Sequence, residues 1–381
     1  MNSIRHLRDF GQSIWYDNIQ RSMLGEGNQL ARMIAEDELR GITSNPSIFE
    51  KAINGSSDYD ASLQRYLNNG SRPDSRTLFF NLAIEDIQQA ADQLRPIYES
   101  SNAEDGYVSL EVSPDLAYDT EGTITEAQQL AQRVNRPNLM IKVPATQEGL
   151  PAIEALTAAG ISINATLLFS VERYEAVARA YLSGLRQRLE QGLPLNHIAS
   201  VASFFISRVD ALIDKQLHEK WASANELDKS MIEKLTGQIA IANAKVAYNR
   251  YQQIYSQEFA DLEAAGAQPQ RLLWASTGVK DPSYSDVLYV DELIGDHTVN
   301  TLPPATYQAF KDHGNPCATL DRGLREALTR LEQLETLGID LKAATQTLER
   351  DGVKTFEDAF NTLLSAIDEK VDTLLQQKKI A

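Results

Sequence analysis

Short apolar runs alternate along most of the chain with longer stretches in which apolar residues recur every three or four positions. Residues 13–17 predict a short strand ending on Asp17. Residues 21–39 predict a helix with Leu30, Met33 and Ile34 on one face, and 41–46 a strand running into a turn at Pro46. A helix carrying Leu78, Leu82, Ile87 and Leu94 follows, then a strand over 106–113 and a helix over 125–134. The run 138–146, partly β-branched and flanked by Pro137 and Pro144, predicts the next strand. A helix over 150–159 stops at Gly160, and 161–169 predicts a strand. Ser170 is placed to cap a helix with Tyr174, Val177, Tyr181 and Leu185 inward. A strand over 197–206 leads into a helix beginning with Val209, Leu212, Ile213 and Leu217. A long helix over 229–255, a strand over 271–275, a short helix over 286–294 and a strand over 297–301 complete the alternation before Pro303 and Pro304.

Strands that alternate with helices pair in parallel and are covered on their faces. About eight such units in about 300 residues predict a closed (β/α)8 barrel of the TIM type, with additional N- and C-terminal helices. An open doubly wound sheet is the alternative, but neither G-x-G-x-x-G nor a P-loop follows a strand here. The last stretch carries two helical stripes: Leu324, Leu328, Leu331, Leu334 and Leu337, then Phe356, Phe360, Leu363, Leu364, Ile367, Val371 and Leu374. No Pro/Gly linker precedes them, so residues 1–381 read as one barrel domain, with 318–381 packed on it as helices.

The net charge of -17 argues against nucleic acid and anionic membrane surfaces as partners. If the substrate is an anion, basic groups must be gathered locally. With one cysteine, Cys317, no intramolecular disulfide can form, which suits a reducing compartment. The five histidines (His6, His197, His218, His297, His313) show no metal-ligand spacing, so no metal site is expected. The N-terminus carries Arg5, His6, Arg8 and Asp9 without an apolar core, and the longest uncharged run, 155–171, is broken by Gly160, Ser162, Asn164 and Thr166. These features predict a cytoplasmic protein without a membrane span; monomer and homodimer both remain open.

Strand 138–146 carries Lys142 in its middle. Desolvation lowers the pKa of a buried lysine and makes a nucleophilic amine; on an edge strand the same side chain would snorkel to water. Barrel chemistry sits where strands end, and alternate residues point inward. Val108, Leu110 and Val112 form one face of their strand, and Ser109, Glu111 and Ser113 the other. Asn164 and Thr166 share a face, as do Ser203 and Phe205, and Thr43 and Asn45. Polar groups thus fall near strand C-termini on a consistent parity, and Asp17 ends its strand in the same way. Singly, each carboxylate could serve a salt bridge and each amide or hydroxyl a turn or cap. Together, a lysine, two carboxylates (Asp17, Glu111), two amides (Asn45, Asn164) and two hydroxyls (Thr166, Ser203) suit Schiff-base chemistry. The imine is the electron sink for C–C cleavage, one carboxylate takes the hydroxyl proton, and the other shuttles protons through water. Arg208 follows a late strand, and Lys280 closes Ser276-Thr277-Gly278-Val279-Lys280. A Ser/Thr/Gly turn beside cations can hold a phosphate at the late strands of a barrel, although solvated loop cations would look the same.

Five segments carry a family resemblance: Thr43-Ser44-Asn45-Pro46-Ser47-Ile48-Phe49, Ser109-Leu110-Glu111-Val112-Ser113, Ile141-Lys142-Val143-Pro144-Ala145-Thr146, Ile163-Asn164-Ala165-Thr166-Leu167-Leu168-Phe169-Ser170 and Trp274-Ala275-Ser276-Thr277-Gly278-Val279-Lys280. In this order they resemble the transaldolase family over essentially the whole chain, in its longer bacterial and plant-type branch. The resemblance implies transfer of a dihydroxyacetone unit between phosphorylated sugars, from sedoheptulose 7-phosphate or fructose 6-phosphate to glyceraldehyde 3-phosphate or erythrose 4-phosphate. This is a step of the pentose phosphate pathway, and it uses no metal or organic cofactor. It implies that Lys142 forms the Schiff base, Asp17 acts on the C4 hydroxyl, and Glu111 and Thr166 hold a relay water. Asn45, Asn164 and Ser203 would hold substrate hydroxyls or the intermediate, and Arg208, Ser276 and Lys280 the phosphate. Another branch has Arg in a shorter loop where this chain has Lys280, a point charge rather than a bidentate fork. The related fructose-6-phosphate aldolases carry Gln near the Glu111 position and Tyr near the Phe205 position, and Phe cannot donate a proton to water as Tyr can. The resemblance therefore favours transfer over release of free dihydroxyacetone. The alternatives are an aldolase of that kind and a catalytically silent sugar-phosphate binder.

Overall fold

The computed structural model describes residues 2–25, 27–67 and 72–380. Eight strands, β1 (Gln12–Tyr16), β2 (Gly41–Ile42), β3 (Tyr107–Glu111), β4 (Leu139–Pro144), β5 (Ile163–Leu168), β6 (Ser200–Phe205), β7 (Arg271–Ala275) and β8 (Thr298–Leu302), close in chain order into a barrel. All pairings are parallel, and β1 meets β8 over its full length from Gln12↔Thr298 to Tyr16↔Leu302. Every residue of every strand is buried, because helices cover the outer face and side chains fill the inner one.

The bottom of the barrel is plugged. Arg271 donates to Asp105 Oδ1 at 2.8 Å, to Ser13 Oγ at 2.9 Å and to the Glu104 carbonyl at 2.7 Å, and Ser13 Oγ donates to Asp105 Oδ2 at 2.7 Å. Above this lies Trp15, fully buried. A Cβ on Gly41 would stand 2.6 Å from the Trp15 ring, so the indole fits inside only because β2 offers a glycine there. With its base filled, the barrel interior is closed from below, and the chemistry-bearing side chains face the C-terminal ends of its strands.

Most predicted elements are present, with instructive departures. Strand β2 has two residues where 41–46 was expected, because the backbone leaves the sheet to let Asn45 cap the helix Pro46–Asn54. The helix expected over 21–39 begins at Gln29. Residues Arg21–Met23 form a single tight turn, as the Arg21 guanidinium is drawn to Asp86 at 2.8 Å and Glu85 at 2.9 Å. The long helix expected over 229–255 is two helices, Glu226–Leu235 and Ile239–Glu258. Gly237, at φ +71, breaks it, and Asp214 and Asp210 accept the freed N–H groups of Gly237 and Ala240. Ser113 does not follow its strand's inward parity; it bonds Glu126 outside the barrel. In the Leu324–Thr336 helix Leu334 is buried, whereas Leu328 is 45% exposed and so departs from the predicted stripe. Ser170 caps its helix by accepting from the Arg173 N–H at 3.1 Å.

The last helix, Leu341–Ile380, crosses the open end of the barrel. Phe356, Phe360, Leu363, Ile367, Val371 and Leu374 are buried beneath it, as the apolar stripe predicted, while Leu364 of that stripe is only half-buried at its edge. Ion pairs hold it on two sides: Glu349 with Arg173 at 3.1 Å, and Lys370 with Asp60 at 3.2 Å. Among the described residues no helix is long and apolar enough to cross a membrane.

Candidate active site

A cavity of about 420 Å³ occupies the open end, lined by strand ends and the loops after them. Lys142 projects into it from the middle of β4 and is 4% exposed. Register places its two polar neighbours: Glu111 of β3 is paired with Lys142, and Lys142 with Asn164 of β5. Lys142 Nζ lies 3.3 Å from Glu111 Oε2 and donates to the Ser44 carbonyl at 3.2 Å. Burial pushes the Glu111 carboxyl up to about 7, against the Lys142 charge, which lowers it. Among the described residues Glu111 Oε1 and the Thr166 hydroxyl have no hydrogen-bond partner, and Glu111 Oε2 meets only the Lys142 ammonium. Buried polar groups left without a partner cost about 1–3 kcal/mol each, so Glu111 Oε1 and Thr166 Oγ1 are suited to water or substrate.

Asp17 stands across the cavity at the end of β1. It accepts from Thr43 Oγ1 at 2.6 Å, and that hydroxyl is itself 2.6 Å from Thr301 Oγ1, so one carboxylate oxygen is fixed. Burial raises its pKa, while the Lys142 and Arg208 charges and the Thr43 bond oppose this. Asn45 serves two purposes. Its Oδ1 accepts the Ile48 N–H at 3.0 Å as a helix cap, and its side chain also lines the cavity, leaving the amide NH2 for a ligand.

Asn164 lies one layer deeper than expected. Its Nδ2 donates to Ser109 Oγ at 3.0 Å and its Oδ1 accepts from Ser203 Oγ at 2.6 Å. It is fully buried and does not line the cavity; Ser203 and Thr166 do. Phe205 also lines it, with its ring centroid 5.1 Å from that of Phe169.

Ends of β6 and β7 bring the cations together. The Arg208 guanidinium sits 5.3 Å from the Phe205 ring centroid. The Ser276 carbonyl, on a residue held at φ +55, accepts the Ser207 N–H at 3.0 Å, and the two hydroxyls are 3.0 Å apart. Lys280 has its pKa lowered, first by burial and then by the Arg208 and Lys51 charges. Lys51 also lines the cavity, and sequence reasoning missed it. Its signal was available: it sits in the helix that Asn45 opens at a strand end. Phe356 was missed as well; its ring centroid is 5.5 Å from Lys142 Nζ, a contact across the chain that no local pattern announces. Among the described residues no carboxylate pairs directly with Arg208, Lys280 or Lys51, and no cluster could hold a metal ion.

A lysine buried in a barrel mouth, flanked by two carboxylates and facing unpaired cations, defines the class of barrels that work through a lysine Schiff base on anionic substrates. The particular family follows from comparison. The family description "Transaldolase/Fructose-6-phosphate aldolase" matches residues 14–367, and the chain belongs to this family. It is 45% identical over 380 residues to a transaldolase 2 of Nostoc sp., covering 98% of this chain and 99% of that one. It is 46% identical over 373 residues to a transaldolase of Saccharopolyspora erythraea, covering 97% and 98%. Against a transaldolase of Thiobacillus denitrificans it is 45% identical over 368 residues, covering 96% and 100%.

Proposed function

We infer that this chain is a transaldolase, a transferase that moves a dihydroxyacetone unit from sedoheptulose 7-phosphate or fructose 6-phosphate to glyceraldehyde 3-phosphate or erythrose 4-phosphate. The observation that carries the reading is the Lys142–Glu111 pair at 3.3 Å, with Lys142 opening into a cavity that Asp17 and three cations also line. The amine of Lys142 attacks the ketose C2. Glu111, poised near neutrality, both accepts and returns protons through a water held with Thr166 while the carbinolamine loses water. Asp17 takes the proton of the C4 hydroxyl as the C3–C4 bond breaks, and the aldose phosphate leaves. The enamine on Lys142 then attacks the next aldehyde, whose oxygen takes the proton held by Asp17; water, deprotonated through Glu111, adds to C2 of the resulting iminium, and the C–N bond breaks to free the new ketose and the amine. Asn45 and Ser203 hold hydroxyls; Asn164 holds Ser203. Arg208, Ser276 and Lys280, joined by Lys51, anchor the phosphate of donor and acceptor in turn. Phe205, unable to donate a proton, supports transfer over release. Substrates that do not cross a bilayer unaided fit a cytoplasmic enzyme.

The test is an assay with fructose 6-phosphate and erythrose 4-phosphate. Stoichiometric glyceraldehyde 3-phosphate and sedoheptulose 7-phosphate are expected, with little free dihydroxyacetone; release as fast as transfer would sink the reading.

The Glu111 environment also predicts a pH dependence. Between its ordinary 4.5 and about 7, folded Glu111 keeps a proton that the unfolded chain has lost. The folded state binds more protons there, so this group's contribution to stability is present at lower pH and is lost as pH rises through that window. Glu111→Gln removes the dependence. The Tm of the variant should gain on that of the wild type as pH rises from about 5 to about 7; parallel curves would contradict the raised pKa.

A further inference from the structure

We infer that Phe356, carried by the C-terminal helix, determines whether the three-carbon unit held on Lys142 passes to an aldose or is lost to water. The inference rests on the Schiff-base reading and adds to it a residue from the far end of the chain. Phe356 is 4% exposed, lines the cavity, and sets its ring 5.5 Å from Lys142 Nζ.

Its position is held by the residues one turn before and one turn after it on the same helix face. One turn before, Gly352 faces β5: a Cβ there would stand 3.0 Å from Leu167 Cδ2. A side chain there would press on the Leu167 methyl, so glycine lets the helix lie close against β5. Leu167 is itself held at φ +63, next to a register shift in β5. One turn after, Phe360 packs edge-on to Phe79 at 5.5 Å, and Phe79 to Phe49 at 5.5 Å. The Arg76 guanidinium lies 5.4 Å from the Phe360 ring centroid. Further on, Lys370 donates to the Ile53 carbonyl at 2.9 Å and to the Ser56 carbonyl, at the end of the helix that Asn45 opens.

Two physical consequences follow for the intermediate. The π face favours a cation on the lysine nitrogen, and the iminium is one. The ring also takes up space that water would occupy beside that nitrogen. Release of dihydroxyacetone needs this water. The enamine takes a proton at C3 to give the iminium; water then adds to C2 and loses a proton; the C–N bond breaks and the amine is regenerated. At the branch point transfer needs no water at C2, because C3 of the enamine attacks the aldehyde carbon and the aldehyde oxygen takes the proton from Asp17; the water that later frees the new ketose from Lys142 acts after the partition has been made. Covering the nitrogen therefore suppresses release more than transfer. The cations that draw in the acceptor follow β2, β6 and β7, whereas Phe356 covers the lysine beside β4 and β5.

The test compares wild type, Phe356→Leu, Phe356→Ala and, as a packing control about four turns farther along the same helix, Val371→Ala. The readout is the ratio of free dihydroxyacetone to transfer product from fructose 6-phosphate and erythrose 4-phosphate, together with borohydride trapping on Lys142. Both Phe356 variants should still trap an adduct and should raise the release-to-transfer ratio by about tenfold. Val371→Ala should lower Tm without moving the ratio. Should Phe356→Ala fail to fold, Phe356→Leu, which keeps most of the apolar volume, gives the reading. Wild-type enzyme that transfers while folded Phe356 variants keep its ratio overturns this inference alone. Wild-type enzyme that traps no adduct overturns the Schiff-base reading and this inference with it.

Discussion

Lys142→Met is expected to lose transfer activity by about 10⁴-fold or more and to yield no borohydride-trapped adduct. Methionine matches the length and apolar stem of lysine, so the buried space in β4 stays filled. What it removes is the nitrogen that attacks C2. It also removes the charge that lowers the Glu111 pKa, so burial then holds that carboxyl as the neutral acid, which needs no cation to pair with. The fold should survive, and circular dichroism would verify this. Lys142→Arg separates charge from nucleophilicity: it keeps a cation beside Glu111 but forms no imine, and it should be as inactive as the methionine variant. The measurement is peptide mass spectrometry after incubation with fructose 6-phosphate and borohydride. An adduct of dihydroxyacetone size on Lys142 in the wild type, absent in both variants, is the expected result. An adduct on another lysine would break the mechanism.

Asp17→Asn should stop the reaction one step later. Thr43 can still donate to the amide oxygen, so the side chain keeps its place 2.6 Å from that hydroxyl. An amide cannot take the C4 hydroxyl proton. Removing a positioned base of this kind lowers kcat by about 10²–10⁴-fold. Imine formation is left to Lys142, Glu111 and Thr166, so the trapped species should change from a three-carbon to a six-carbon phosphorylated adduct. This change in mass distinguishes a lost base from a disturbed site, which would trap nothing. A three-carbon adduct formed at the wild-type rate would remove Asp17 from the cleavage step.

The two carboxylates are thus separable by their surroundings. Glu111 is register-paired with Lys142 and shares its burial, and its pKa near 7 suits two-way proton traffic. Asp17 is held by the Thr43–Thr301 pair on the far wall. The C-terminal helix completes the cavity by placing Phe356 over the lysine. A stretch that reads as packing by its stripe therefore also shapes the site.

What the sequence alone determined is what is local or periodic. Alternation of strand and helix specifies a parallel, covered sheet. The parity of Ser109 with Glu111, and of Asn164 with Thr166, marks which side chains turn inward. Their nearness to strand C-termini marks which end carries the chemistry. Lys142, Asp17, Asn45, Arg208 and Ser276 were legible on these grounds, because each belongs to a short segment whose conformation its neighbours dictate. The tertiary structure decided what depends on residues far apart in the chain. Trp15 fits only against Gly41 of β2, a contact between two strands that neither segment announces. Asp214 and Asp210 split an otherwise continuous helical pattern around Gly237. Asn164 lies beneath Ser203 instead of on the cavity wall, because both ends of its amide are taken. Lys51 joins the cations only where the barrel closes, and Phe356 reaches Lys142 across more than half the chain. Periodicity records which face of an element is buried; which partner it is buried against is set by closure of the barrel, and no single segment encodes that.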